Sequence, residues 1–134
     1  MRGTDNTYRS LFEAIDVGVV VNFKTKILFI NKKGASILGA SNRDELINRS
    51  VLDFVDTEYK PIFVKRIRQV QEQGKEVPSI EAKIYDLNGN ELIINVKGSP
   101  VVFEEKEAVL TTFRDITREK RDRENLQKTT DILR

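Results

Sequence analysis

The hydrophobic pattern of the chain begins with a helical period and then changes to short runs typical of strands. The first apolar residues are spaced i, i+3, i+4 and i+7, which places them on one face of a short helix. They are Tyr8, Leu11, Phe12 and Ile15. Two runs rich in β-branched and aromatic residues follow, Val17–Asn22 and Lys26–Ile30. Because only a short link separates them, we expect two antiparallel strands joined as a hairpin.

The next segment combines short helical patterns with residues that begin or end helices. Asn31 can cap a helix that runs to Leu38, and Gly39 is a residue type that ends helices. The segments Arg43–Ile47 and Val51–Phe54 each follow a Ser or Asn that can act as an N-cap. We therefore expect one short helix and two helical turns.

The clearest helical pattern in the chain covers Glu58–Gln73. Pro61 suits the first turn of a helix, and Gly74 suits the position just after the last turn. The apolar residues of this segment share one face, and they are Tyr59, Phe63, Ile67 and Val70. This pattern predicts one longer helix that packs on the core through that face.

The second half of the chain alternates apolar and polar residues. The runs Ile80–Asp86 and Glu91–Phe103 flank Asn88-Gly89, a dipeptide typical of a tight hairpin turn. A third run, residues 108–113, is again β-branched, apolar or aromatic. Consecutive strands of this kind form an antiparallel meander, and the helices between the two strand groups pack on one sheet face. The predicted fold class is α+β.

The last predicted strand leads directly into a highly charged helix. Thr117 is expected to cap this helix through its hydroxyl, and Glu119 lies at the positive end of the helix dipole. Because the strand and the helix are so closely joined, a change in the sheet can move the helix. We therefore predict that Asp115 and Thr117 fix the angle between strand and helix and transmit a signal.

Composition excludes several classes of function. The formal net charge of +2, with basic and acidic residues interleaved, does not indicate a nucleic-acid-binding protein. No apolar run approaches the roughly 20 residues of a membrane span, and no signal peptide opens the chain, so we expect a cytoplasmic protein without membrane contact. The chain contains neither Cys nor His, which removes thiolate nucleophiles, the commonest general base and the usual haem and zinc ligands.

The remaining charged clusters have structural interpretations. Asp53, Asp56 and Glu58 lie in a loop before a helix, where carboxylates usually act as caps, so no metal site is predicted. The basic residues Lys65, Arg66 and Arg68 are expected on the solvated side of the long helix. Asp115, at the strand–helix junction, has no acid, base or nucleophile beside it in the sequence with which it could act in catalysis. The sequence therefore predicts no catalytic residue.

An ordered series of short motifs makes the chain resemble a PAS domain of the bacterial signalling type. The motifs are Leu11–Ile15, Val17–Val21, Ile27–Asn31, Gly39, Glu45–Ile47, Asp86–Gly89, Gly98–Pro100 and Phe113–Lys120. The resemblance implies a five-stranded antiparallel sheet whose concave face, with the helices, encloses a small-molecule pocket. It also implies a sensory module of a larger regulator, for which we expect a histidine kinase ahead of cyclic-di-GMP enzymes and transcription regulators.

Strand parity and the resemblance together predict the pocket. Ile84, Ile94 and Val96 share one face of their strands. The parity of the last strand is ambiguous, and the register of the family places Val109, Thr111 and Phe113 inward and Leu110 outward. The predicted pocket residues are Phe54, Phe63, Ile67, Ile84, Ile94, Val96, Thr111 and Phe113, with Thr111 as the polar contact on the sheet.

The same resemblance argues against the familiar cofactors of the family. The covalent flavin and the thiol-linked chromophore need a Cys, and haem usually needs a His; the chain has neither. Ile84, Ile94 and Phe113 occupy positions that resemble the polar flavin-binding positions of photosensors, and none of them can hydrogen-bond a flavin ring. What remains is a small apolar ligand or no ligand.

The predicted organisation has three segments. Residues 1–7 are expected to be disordered or tag-like, residues 8–117 form the sensory domain, and residues 118–134 begin a helix that leads to an output domain of the same chain. A homodimer is predicted through an apolar surface made of Tyr8, Leu11, Phe12, Ile15 and Leu110, with a thin seam at Leu126 and Leu133. Two alternatives stay open, a ligand-free dimerisation and linker module and a small stand-alone enzyme.

Overall fold

The computed structural model describes residues 10–133, with side chains described for residues 10–128. Five strands form one antiparallel sheet in the order β2-β1-β5-β4-β3. The strands are β1 Gly18–Phe23, β2 Lys26–Ile30, β3 Val77–Tyr85, β4 Glu91–Phe103 and β5 Lys106–Asp115. The helices are α1 Lys32–Ile37, α2 Lys60–Gln73 and α3 Thr117–Leu133, and residues 10–14 are also helical. The predicted α+β class and five-stranded antiparallel sheet are confirmed.

Three 3₁₀ turns connect α1 to α2, and two of them match the predicted short turns. They are Arg43–Glu45, Val51–Phe54 and Thr57–Tyr59. The predicted start of the long helix at Glu58 is wrong by two residues, because Asp56 accepts a hydrogen bond from the Glu58 N–H and caps the third turn first. As predicted, Pro61 lies in the first turn of α2 and Gly74 follows its end with φ 64°.

Strand β3 begins earlier than the alternating pattern predicted. It starts at Val77 instead of Ile80, and its register with β4 shifts between these two residues. Pro78 lies in the shifted segment, which is tolerated because β3 is an edge strand and proline has no N–H to give to a ladder. The chain then turns through Asp86–Asn90 into β4, with Gly89 at φ 80°, so the predicted turn is confirmed.

Apolar side chains cover both faces of the sheet. The inner face packs against α1, α2 and the 3₁₀ turns, and the cavity described below lies in this layer. The outer face carries a second cluster that consists of Phe12, Val19, Val21, Phe29, Phe103 and Ala108. The Phe12 ring contacts the Phe29 ring at a centroid distance of 5.6 Å, so the N-terminal helical segment covers the outer face.

The predicted apolar stripe of the N-terminal segment does not act as one face. Phe12 is buried against the sheet, whereas Leu11 is 57% exposed and Ile15 is 42% exposed. Leu110 is half-buried and packs beside the outer cluster within the same chain. Phe12 and Leu110 therefore pack against other residues of the same chain. Tyr8 and the predicted tag-like residues 1–7 lie outside the described residues.

Asn31 fixes the N-terminal segment to the rest of the fold. Its Oδ1 accepts hydrogen bonds from the N–H of Val19 (2.9 Å) and of Gly34 (2.8 Å). Its Nδ2 donates to the carbonyls of Phe12 (2.8 Å) and Val17 (2.9 Å). The predicted capping role of Asn31 on α1 is confirmed, and the same fully buried side chain also joins β1 to the N-terminal segment.

Candidate ligand cavity and output junction

A small apolar cavity of about 50 Å³ lies between the inner face of the sheet and the helical layer. We call it the inner cavity. Seven of the eight predicted pocket residues line it, and they are Phe54, Phe63, Ile84, Ile94, Val96, Thr111 and Phe113. Ile67 does not line the inner cavity and instead lines a second cavity beside it. The structure thus brings the predicted residues together, with that one exception.

The alternation of side chains along the strands, together with close packing of one aromatic ring on the backbone of a neighbouring strand, positions these residues. Ile94 on β4 and Phe113 on β5 both face inward, as parity and the family register predicted. The Phe113 ring lies over Gly18 of the neighbouring strand, where a Cβ would come within 2.6 Å of the ring. A glycine at position 18 is therefore what allows this aromatic ring to lie against the sheet.

The inner cavity has five further lining residues that the sequence did not indicate. They are Val20, Ile27, Leu38, Val51 and Val55. Val20 lies on β1, a central strand whose residues are buried on both faces, so it shows no alternation from which an inward side could be read. Val51 and Val55 belong to a 3₁₀ turn and its C-cap, which reach the cavity only through tertiary packing. Val55 forms an isolated bridge to Ile84.

Thr111 supplies the polar group of the inner cavity. Its hydroxyl donates to Oδ1 of Asn22 at 2.9 Å, and Asn22 is fully buried. In this arrangement the Thr111 oxygen is left with acceptor capacity only. A ligand that hydrogen-bonds Thr111 without disturbing Asn22 would have to donate, as a hydroxyl does.

A second cavity of about 30 Å³, the lateral cavity, lies beside the inner cavity under α2. The two cavities share Phe63, Val96 and Thr111 as lining residues. Arg66 also lines the lateral cavity and is half-buried, so its predicted position on the solvated side of the helix is wrong. Burial lowers the pKa of its guanidinium below its ordinary value.

The start of α3 is bonded to the strand that lines the inner cavity. The Ile93 N–H of β4 donates to the Thr117 hydroxyl at 2.9 Å, and the Ile116 N–H donates to the Ile93 carbonyl at 2.8 Å. The Asp115 carboxylate accepts from the Thr117 N–H at 3.0 Å and from the Thr117 hydroxyl at 2.5 Å. We call these four residues the output junction.

The predicted N-cap role of Thr117 is wrong. Thr117 is the first residue of α3, and its hydroxyl accepts from β4 instead of from the first helical turn. The carboxylate of Asp115 accepts the hydrogen bond from the Thr117 N–H at the helix start. The predicted pair is therefore in contact at the strand–helix boundary, and Asp115 accepts the hydrogen bond from the helix start while Thr117 bonds to β4.

An ion pair holds α3 against β3 farther along the helix. Lys120 donates to Glu81 with Nζ and Oε1 2.7 Å apart. The hydrogen bond between them lowers the pKa of the Glu81 carboxyl and raises that of the Lys120 ammonium. Both side chains remain partly exposed, so solvent and salt weaken this pair.

The acidic loop residues act as caps and ion-pair partners. Asp56 caps the Thr57–Tyr59 turn, and Asp53 lies 3.6 Å from the Arg49 guanidinium. Across the described residues, no three His, Cys, Asp or Glu side chains come together as a metal site requires. No helix within residues 10–133 has both the length and the apolar character needed to cross a bilayer.

The class of the protein follows from its fold and from comparison with known proteins. A family model described as "PAS domain" matches residues 16–118, so the chain belongs to the PAS domain family. The resemblance noted in the sequence is confirmed, and the chain is a sensory-type module. It is 34% identical over 121 residues to Sporulation kinase A of Bacillus subtilis, a match that covers 90% of this chain and 20% of that protein. The chain thus spans about a fifth of the curated relative.

Solved structures with the same fold include PAS domains of other proteins. The PAS domain of a Colwellia psychrerythraea protein has a TM-score of 0.70 and 19% identity, over 84% of this chain and 97% of that one. A second structure is the PAS domain of a LuxR-family transcriptional regulator from Burkholderia thailandensis, solved in complex with ethanol. It has a TM-score of 0.66 and 21% identity, over 81% of this chain and 96% of that one. At these identities the likeness shows the fold.

Proposed function

We propose that the chain is the ligand-sensing module of a larger cytoplasmic histidine kinase, and that α3 carries its signal to the output domain. The support for kinase output is the sequence similarity to part of Sporulation kinase A. The proposed domain order has the sensory part over residues 8–117 and the start of the output helix from residue 118. No step of catalysis is assigned to this module itself.

The observation that carries the proposal is the position of two consecutive residues on β4. Ile94 lines the inner cavity, and the main chain of Ile93 makes two hydrogen bonds to the start of α3. A ligand that displaces β4 by pressing on Ile94 therefore displaces the Ile93 N–H, which donates to Thr117, and the Ile93 carbonyl, which accepts from Ile116. The path from the inner cavity to α3 is therefore the single peptide unit of β4 that joins Ile93 to Ile94.

The volume of the inner cavity limits the ligand to a very small molecule. A water-sized occupant needs about 10–15 Å³, and an apolar cavity of about 150 Å³ holds benzene. By that scale the 50 Å³ of the inner cavity accommodates roughly two to four heavy atoms. The Burkholderia PAS domain was solved with ethanol, a molecule of this size. We propose a small, mostly apolar ligand whose hydroxyl, if present, donates to Thr111.

A second candidate function is a ligand-free module that serves dimerisation and linkage. The small volume and almost purely apolar lining of the inner cavity favour it, because core side chains alone nearly fill this space. A titration with ethanol, followed by NMR of the isoleucine methyl groups, separates the two candidates. Saturable shifts at Ile84 and Ile94 support the sensory module, and their absence supports the ligand-free one.

The output junction is tested in the intact parent protein by autophosphorylation. We expect Asp115→Ala and Thr117→Ala to change basal or stimulated phosphorylation, because each removes a hydrogen bond at the junction. Asp122→Ala, on an exposed position of α3, is the matched control and should leave the output unchanged. Unchanged output in both junction variants, with fold and oligomeric state preserved, would contradict the transmission route.

A further inference from the structure

Arg66 is a half-buried cation whose described partners are neutral. Its Nη2 donates to the Pro78 carbonyl at 2.8 Å and lies 3.5 Å from the Val96 carbonyl. Both bonds use one nitrogen of a group that carries five N–H donors. Among the described side chains, no carboxylate lies within 4.0 Å of this guanidinium. The carbonyls satisfy some of its hydrogen bonds and leave its charge unbalanced.

The surroundings of Arg66 make an anion the natural partner. The other charged residue at the lateral cavity, Lys97, already pairs with Glu76, with Nζ and Oε1 2.6 Å apart. Burial disfavours the charged form of Arg66, as its lowered pKa shows, and a nearby anion would offset that cost. A planar guanidinium matches a carboxylate in geometry and can hold it through two parallel hydrogen bonds.

The lateral cavity places this cation beside the apolar space of the inner cavity. Phe63, Val96 and Thr111 line both cavities, so an occupant of one lies directly beside the other. The inner cavity offers contacts to aliphatic and aromatic side chains, and the lateral cavity adds the one unbalanced charge among the described residues that line either cavity. Together these features call for a ligand with a short hydrocarbon chain and a single anionic end.

We propose that Arg66 binds the carboxylate of a short-chain monocarboxylate whose hydrocarbon end occupies the inner cavity. The two volumes together accommodate roughly three to seven heavy atoms on the scale of water and benzene cavities, a range that runs from acetate to butyrate. This ligand class depends on the proposed sensory role of the inner cavity and narrows it. Arg66 then sets specificity by charge, and the inner cavity sets it by chain length.

The test compares butyrate with butan-1-ol, which has the same number of carbons and no charge. Each is titrated into the protein while the methyl signals of Ile84 and Ile94 are followed by NMR. We expect both to shift these signals and butyrate to bind more tightly in the wild-type protein. In Arg66→Gln, the Kd for butyrate should rise about tenfold or more, because a charge-assisted hydrogen-bond pair is lost, while the Kd for butan-1-ol stays unchanged.

Arg68→Gln is the matched control, since it removes a positive charge from an exposed position of the same helix. It should bind butyrate as the wild-type protein does. Unchanged butan-1-ol binding also shows that the cavity of Arg66→Gln is intact. If butan-1-ol binds and butyrate does not, or if Arg66→Gln binds butyrate normally, the carboxylate assignment is overturned and the apolar sensory site stands. If neither molecule binds, the carboxylate assignment is overturned, and the separate ethanol titration decides whether the inner cavity is a sensory site.

Discussion

Ile94 lies on the inner face of the sheet with 4% of its surface exposed, and the inner cavity depends on it. We expect Ile94→Asp to lower the free energy of unfolding by about 3 kcal/mol or more, because it buries a carboxylate that has no partner and loses apolar contacts. Urea denaturation monitored by circular dichroism measures this change.

Asn95→Asp is the matched control for that experiment. It places a carboxylate on the next residue of β4, whose side chain points to the outer face and is half-buried. Its denaturation midpoint should fall much less. An Ile94→Asp variant with the midpoint of the wild-type protein would show that position 94 is not internal.

Gly89 provides a second prediction at the residue scale, because the effect of substituting it on the free energy of unfolding can be separated from packing. Its φ is 80°, and a Cβ built there meets no other atom within 4 Å. Gly89→Val should therefore lower the free energy of unfolding by about 1 kcal/mol or more through backbone strain alone. Gly89→Asn should cost less, since Asn tolerates this region. Equal stability of both variants in thermal denaturation would contradict this explanation.

Asn31 shows what a single residue can and cannot reveal before the fold is known. An Asn ahead of a helical pattern predicts a capping bond, and that bond is present. Its other three hydrogen bonds join segments more than ten residues away, at Phe12, Val17 and Val19. No local pattern predicts them, because they depend on β1 and β2 already being paired.

At the scale of elements, the turn between β4 and β5 carries strain that substitution can relieve. Phe103 pairs with Lys106, and the two residues between them, Glu104 and Glu105, have φ values of 49° and 66°. Such a two-residue turn favours Asn-Gly. We expect the double variant Glu104→Asn with Glu105→Gly to raise the Tm by about 3–6 °C.

The matched control for this turn is Glu104→Gln with Glu105→Gln. It removes both charges but keeps two residues that resist positive φ, so the Tm should not rise as it does in the Asn-Gly variant. A rise in the control as large as the rise in the Asn-Gly variant would assign the effect to charge instead of backbone conformation.

The ion pair between Glu81 and Lys120 holds α3 near β3 over a defined pH range. Because the pKa of Glu81 is lowered, its contribution is present above the ordinary glutamate pKa and is lost as pH falls through the lowered value. Because the pKa of Lys120 is raised, its contribution is present below the ordinary lysine pKa and is lost as pH rises through the raised value. The pair is therefore fully formed at neutral pH.

Hydrogen exchange of the first turns of α3 tests this ion pair. Lys120→Gln should speed exchange there at neutral pH, and salt of about 1 M should do the same in the wild-type protein, because salt screens exposed charges. Arg118→Gln, which changes an exposed charge near the helix start, is the control and should leave exchange unchanged. Exchange in Lys120→Gln as slow as in the wild-type protein would mean that the output junction alone fixes the helix.

Elements defined by local periodicity were the ones that the sequence predicted well. The long helix, the β3–β4 hairpin and the inward side of β4 follow from spacing within each segment. β1 was predicted as a strand, but its inward residues were not, because both faces are covered. The lining contributed by Val51 and Val55 could not be predicted, since their turn reaches the cavity only when β3 is in place.

At the scale of the whole molecule, the exposed apolar residues bear on association. Leu11 and Ile15 are exposed apolar residues of the N-terminal segment, in contrast to the buried Phe12. Leu126 on α3 is 69% exposed and lies seven residues before Leu133, the spacing of a coiled-coil seam. The side chain of Leu133 lies outside the described residues. From these positions we propose a homodimer in which the N-terminal segments and the output helices of two copies pack together.

Sedimentation equilibrium at high micromolar concentration tests the homodimer. We expect the wild-type protein to have the mass of a dimer and the double variant Leu11→Lys with Ile15→Lys to be a monomer, because two charges would have to be buried in the interface. Val102→Lys is the matched control, since Val102 is an apolar residue that is 58% exposed and lies on the β4–β5 hairpin. It should remain a dimer. A wild-type protein that stays monomeric would exclude this dimer, and a monomeric Val102→Lys would move the interface to the hairpin end of the sheet.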